Sequence, residues 1–202
     1  MNGNRKRVGM PEGNVVRGLF RLAHGDAGGI REFGNTTRAF YASLAPLLAF
    51  PLVGAALFGL DGHWNLAIVM LLSRISGALI QPVATEFVAQ RAKSSATWLM
   101  TSTALNWSIW LIFPLMLIGA LVANGLTALG LPQTLAIVLA AGFIALYLLW
   151  FQWFVLRTGL RLNAWWALAA LIAMNVTIAA VYLIPYIFHP DLMELTLHPP
   201  AT

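Results

Sequence analysis

The chain has 202 residues, 59% of them hydrophobic and 9% charged, and its mean hydropathy of +0.77 lies far outside the range of an ordinary water-soluble domain. The chain is therefore read as a membrane protein, and with no cysteine it has no disulfide, thiolate nucleophile, cysteine zinc site or iron–sulfur cluster. Its formal charge of +5 comes from ten arginines and two lysines in short segments beside apolar runs, a topological pattern that argues against nucleic acid as a partner.

Residues 1–37 read as a cytoplasmic tail and a short amphipathic helix. The start is polar, with Arg5, Lys6 and Arg7 among glycine and proline, and is expected to be disordered. No apolar stretch follows it until Ala39, so no cleaved signal peptide is expected and the first span would serve as an anchor. Asn14 is placed to cap a helix with Val15, Val16, Leu19, Phe20 and Ala23 on one side and Arg17, Arg21 and His24 on the other. Two readings stay open for this helix. It lies on an anionic leaflet, with Phe20 inward and Arg17 and Arg21 near headgroups, or it packs against the ends of the bundle.

Residues 38–188 read as a five-helix transmembrane domain, with spans at about 39–60, 64–88, 97–122, 134–156 and 163–188. Prolines at 46, 51, 82, 114 and 185 predict bends. The N-terminal segment carries seven Lys or Arg, the second connection two and the fourth two, while the first and third connections and residues 189–202 carry none. That alternation predicts an inner-membrane protein of bacterial type with its N-terminus cytoplasmic and its C-terminus, a short tail, extracytoplasmic. Trp98, Trp150, Trp153, Trp165 and Trp166 fall where a cytoplasmic headgroup belt would lie, and Trp64 at the other interface. Small pairs, Ala136 with Ala140, Ala141 with Ala145 and Ala169 with Ala173, suggest close approach of the fourth and fifth spans.

The one cation inside an apolar run is Arg74, and it costs about 2.5–3.5 kcal/mol at the centre of an isolated spanning helix. The helix is therefore expected inside a bundle, with Arg74, Gln81 and Thr85 on one inward face and Leu72, Leu79 and Val83 elsewhere. Antiparallel packing about the second connection sets Gln81 level with Asn106 and Glu86 level with Thr101. With Trp107, Ser108, Asn175 and Thr177, these groups either line a polar cavity for an anion or simply join the helices. No carboxylate lies at the depth of Arg74, so its partners would be carbonyls, amides, water or a ligand.

Asp61, His63, His189, Asp191, Glu194 and His198 share one compartment but not the spacing of a metal site, and none is assigned. No phosphate loop, nucleophile elbow, Ser-x-x-Lys or His-Glu-x-x-His motif occurs, so no catalytic residue, cofactor or enzymatic activity is expected.

The runs RLAHGDAGGIREFGNTTRAFYASL and WFVLRTGLRLNAWWAL resemble small multi-span membrane proteins of high-GC bacteria. The five-span plan is also similar to that of the Yip1 family, whose eukaryotic members are associated with membrane trafficking and organisation. This likeness is one of topology and implies no site residue. Two functions remain open. One is a non-enzymatic component that binds membrane lipids, anionic ones included, or other membrane proteins or its own copies. The other is a carrier or channel for a small anion or lipid headgroup, with Arg74 as the binding cation.

Overall fold

The computed structural model describes residues 13–188. The Arg5–Lys6–Arg7 stretch and the four C-terminal residues His189, Asp191, Glu194 and His198 lie outside them, as does the expectation of a disordered start.

Helix α1, Val15–Ala23, begins where Asn14 accepts a hydrogen bond from the Arg17 amide at 3.0 Å. Gly25, at φ +77°, reverses the chain into a 3₁₀ turn, Ala27–Glu32, capped by Asp26, which accepts from the Gly28 amide at 2.8 Å. The two pieces touch backbone to backbone, since a Cβ on Gly29 would lie 2.8 Å from the Gly18 carbonyl oxygen. Leu19, Leu22, Ile30 and Phe33 are buried against Leu105, Phe151, Val155 and Leu156, whereas Val16 and Phe20 are 75% and 65% exposed. Of the two readings of α1, packing on the bundle is the arrangement observed; Val16 and Phe20 are left to the outside.

Five helical segments long and apolar enough to cross a membrane follow. They are α2 (Thr37–Leu60), α3 (Trp64–Arg91), a third span made of α4 (Trp98–Trp107) and α5 (Ile112–Ala128), α6 (Gln133–Gly159) and α7 (Ala164–Phe188). Thr36 caps α2, accepting from the Ala39 amide at 3.2 Å. The third span tightens to 3₁₀ geometry over Ser108–Leu111, directly before Pro114. The proline ring clashes with the carbonyl four residues back, that of Trp110, and the tightened turn relieves it. Several helices outrun their predicted ends, α3 by three residues, α5 by six and α6 by three. Apolar content reports residence in the bilayer, and a helix of 28 residues, about 42 Å, exceeds a core of about 30 Å.

Short connections make successive spans antiparallel. Gly62 (φ +84°) and Gly130 (φ +95°) turn the chain at one end, here called distal, and Lys93 and Arg161 at the other, proximal end. Helix α2 packs on α3, α3 on α7, α7 on α6 and α6 on α5, while α4 sits among α2, α3 and α6. The two ends differ sharply. The large buried cluster, with Leu105, Phe151, Val155, Leu156 and Leu160, is proximal and includes α1; the distal cluster is only Ala123, Ala136 and Ala140. Ties between distant segments are also proximal: Asn35 Nδ2 donates to Ala96 O at 2.7 Å, Ser94 Oγ to Leu160 O at 2.7 Å, and Tyr147 Oη to Ala23 O at 2.8 Å.

The small-residue expectation is corrected here. Ala136 and Ala140 pack on Ala123 of α5, not on α7, while Ala141, Ala145, Ala169 and Ala173 are exposed. Helix α7 instead buries Ala167, Ala170, Leu171 and Met174. Turn-by-turn spacing of alanines names a face without saying which neighbour meets it.

Candidate functional site

Distal to the packed cluster the helices part and leave a cleft of about 670 Å³. Helix α2 supplies Leu47, Phe50, Pro51, Gly54, Ala55 and Phe58, one face at helical spacing and wholly apolar. Helix α3 supplies Met70, Leu71, Arg74, Gly77, Ala78 and Gln81, again one face, and polar at its middle and end. Ser108 comes from the tightened turn of the third span, Gln152 from α6, and Asn175 and Tyr182 from α7. The floor is Leu105 of the buried cluster. Pro51 and Pro82 lack amide hydrogens, so the Leu47 and Ala78 carbonyls of the same walls lose their helical donors.

Arg74 is exposed to this space. Its guanidinium carbon lies 5.6 Å from the centre of the Tyr182 ring, a cation–π contact. Gly77, one turn along α3, makes that contact possible, because a Cβ there would sit 2.6 Å from the tyrosine oxygen. No ion pair reaches Arg74 among the described residues, whose salt bridges all belong to Arg17 and Arg21.

Two amides of the same lining have a defined orientation. Asn175 Nδ2 lies 2.9 Å from Leu171 O, which can only accept, so this atom is the donor nitrogen. It also donates to Gln152 Oε1 at 3.2 Å, which commits the oxygen of Gln152 to Asn175 and leaves Gln152 Nε2 as a donor group elsewhere. One cation and one oriented amide donor therefore border a space with no acidic side chain among the described residues of its lining. Such a lining suits an anion.

Of the predicted site residues, Arg74, Gln81 and Asn175 line the cleft together. Asn106 does not: it is fully buried between α4 and α2, donating from Nδ2 to Ser43 Oγ at 2.9 Å, and its Oδ1 has no partner. Its expected level pairing with Gln81 is thus replaced by Ser43. Trp107 packs against the proximal cluster. Glu86 accepts from Gln90 at 3.3 Å, and Thr101 donates to Thr97 O at 2.9 Å, so that pairing is not made either. Leu72, Leu79 and Val83 face outward as expected. Gln152 and Tyr182 were not anticipated. Gln152 sits between Trp150 and Trp153 in a stretch whose tryptophans mark an interface, which disguises an inward amide.

The surface trio also has defined places. Phe20 is exposed, while Arg21 donates from Nε to Asp26 Oδ2 at 2.7 Å and from Nη1 to Glu32 Oε1 at 3.3 Å. Arg17 Nε lies 3.6 Å from the same Glu32 oxygen. The hydrogen bond from Arg21, aided by the Gly28 amide, holds the Asp26 carboxyl below its ordinary value. These arginines close the α1 turn on itself.

Comparison with known protein families, with curated proteins and with solved structures finds no match for this chain.

Proposed function

We propose that this protein is a non-enzymatic carrier or channel for a small anion or anionic headgroup, with Arg74 as the binding cation and Gln81, Gln152 and Asn175 as polar lining. The observation that carries this reading is the cleft itself: a guanidinium with no ion pair among the described residues borders an open space in an apolar bundle instead of dry carbonyl contacts. A charge so placed is costly and attracts a counter-ion. The charge distribution supports a bacterial inner membrane with the proximal end, α1 included, in the cytoplasm. The cleft then faces the extracytoplasmic half and the packed cluster closes it from the cytoplasm.

The test is chloride flux into proteoliposomes holding a halide-quenched dye. Wild-type protein is expected to exceed empty vesicles and Arg74→Gln to fall at least tenfold. Wild-type flux no faster than empty vesicles, together with no Arg74-dependent binding of any anion, would overturn the reading.

A second reading, binding of lipid or a partner helix, is favoured by one separate feature. A groove of about 570 Å³ between α6 and α7 is lined by Trp150, Trp153, Trp165, Leu168 and Ile172. Arg157 stands 5.3 Å from the centre of the Trp153 ring at its proximal end. Lipids retained by the purified protein, identified by mass spectrometry, test it; loss of an anionic lipid on Trp165→Ala supports it, and no retained lipid argues against it.

A further inference from the structure

We infer that the ligand of the Arg74 cleft is an amphipathic anion with a single negative charge, a head that meets Arg74 and an apolar body that lies along α2. This rests on the anion reading above and narrows it to a chemical class.

The charge comes first. Among the described residues of the lining, Arg74 alone is charged; the other polar groups, Gln81, Ser108, Gln152, Asn175 and Tyr182, are neutral. A monoanion is balanced by one guanidinium, whereas a dianion would leave a net negative charge in a space of low dielectric. Bidentate acceptance by two oxygens of one head, as in a carboxylate or a phosphodiester, fits the fork of an arginine that has a ring and no carboxylate as its neighbour among the described residues.

The walls come second. Fifteen of the twenty-one lining residues are apolar or glycine. A small hydrated ion gains nothing from such walls, while an apolar body buries them. The stripe from Leu47 to Phe58 spans eleven residues of rise, about 16 Å, which is the length of an organic body and not of an inorganic ion. A volume of about 670 Å³ is also that of a small-molecule site. A Cβ on Gly54 would meet nothing within 4 Å, so this wall is open where a chain would lie. The cleft is bounded toward α5 by Phe50, which contacts Trp110 and Phe113 at 6.0 and 5.9 Å between ring centres.

The probes are acetate, decanoate, decanol, decyl phosphate at pH 8.5 and phosphatidylglycerol, in equilibrium dialysis against the full chain in nonionic detergent, with empty micelles subtracted. Decanoate is expected to bind at least tenfold more tightly than acetate and than decanol. Arg74→Gln should abolish its advantage over decanol, and Gly54→Leu, which fills open space, should abolish its advantage over acetate while leaving Arg74-dependent acetate binding. Phosphatidylglycerol competing more strongly than decanoate supports the same class and names a bilayer lipid as its source; the reverse names a free carboxylate. Acetate equal to decanoate, with both dependent on Arg74, overturns the inference and leaves the anion reading standing. Decyl phosphate as a dianion binding more tightly than decanoate overturns the single charge. No Arg74-dependent binding of any probe removes both.

Discussion

At the scale of single residues, the anion reading sets Arg74 apart from groups kept for stability. Replacing Arg74 by leucine removes a charge that costs about 2.5–3.5 kcal/mol at mid-membrane and breaks no ion pair. Its thermal unfolding in detergent is therefore expected at or above the wild-type temperature, with anion binding lost. A variant that unfolds markedly earlier would make Arg74 a structural group. Ser43 behaves in the opposite way. Serine-to-alanine at this position strips the partner from the buried Asn106 amide, whose carbonyl oxygen already lacks one. It should cost about 1–3 kcal/mol, readable as an earlier thermal transition with anion binding unchanged. Arg74, Gln81 and Asn175 were legible because such residues are rare in apolar runs and their presence there demands an explanation. Gln152 was not, because the same residue type beside interfacial tryptophans demands none.

At the scale of elements, α1 and its 3₁₀ turn form a small unit held by burial from beneath and by charge above. Leu22 has no exposed surface and sits in the proximal cluster. Leu22→Ala should cost about 2–5 kcal/mol, enough to release the segment locally, and faster amide exchange confined to Val15–Glu32 would show it. The charged side of the unit gives a pH dependence. Asp26 titrates below its ordinary 3.8 because the Arg21 hydrogen bond favours the carboxylate. A carboxyl depressed in the folded state contributes stability that is complete above the ordinary value and is lost as pH falls through the lower, folded one. Protection of the Gly28 and Gly29 amides is expected to hold from pH 7 to about pH 5 and to decline below the ordinary aspartate range. Asp26→Asn should remove that dependence. The two faces of α1 were visible in its periodicity, but both Val16 and Leu19 belong to the same apolar stripe and only the bundle selects Leu19.

At the scale of the whole molecule, the proximal end is packed and cross-tied while the distal end is splayed, and the proposed function rests on that difference. The absence of cysteine makes the topology directly testable. Single cysteines at Gly62 or Gly130 should react with an impermeant maleimide added outside intact cells, and cysteines at Lys93 or Arg161 only after permeabilisation. Labelling of both pairs from the same side would refute the alternation of the connections. Collapse of the cleft is the corresponding structural expectation for Gly77→Leu. That side chain must displace Tyr182 and, with it, the seat of the Arg74 guanidinium.

The sequence by itself determined the membrane class, the five helices and their alternation, because bilayer thickness and the cost of unpaired backbone groups act on local composition. It also identified an intramembrane cation without an acid partner, since that requires only a census of charges. Tertiary structure alone decided which faces meet: that Asn106 belongs to Ser43 and not to Gln81, that Ala136 serves α5, and that Gln152 turns inward to Asn175 in the lining of the cleft. The physical reason is that helical periodicity fixes which residues share a face, whereas the neighbour opposite depends on packing summed over the whole bundle.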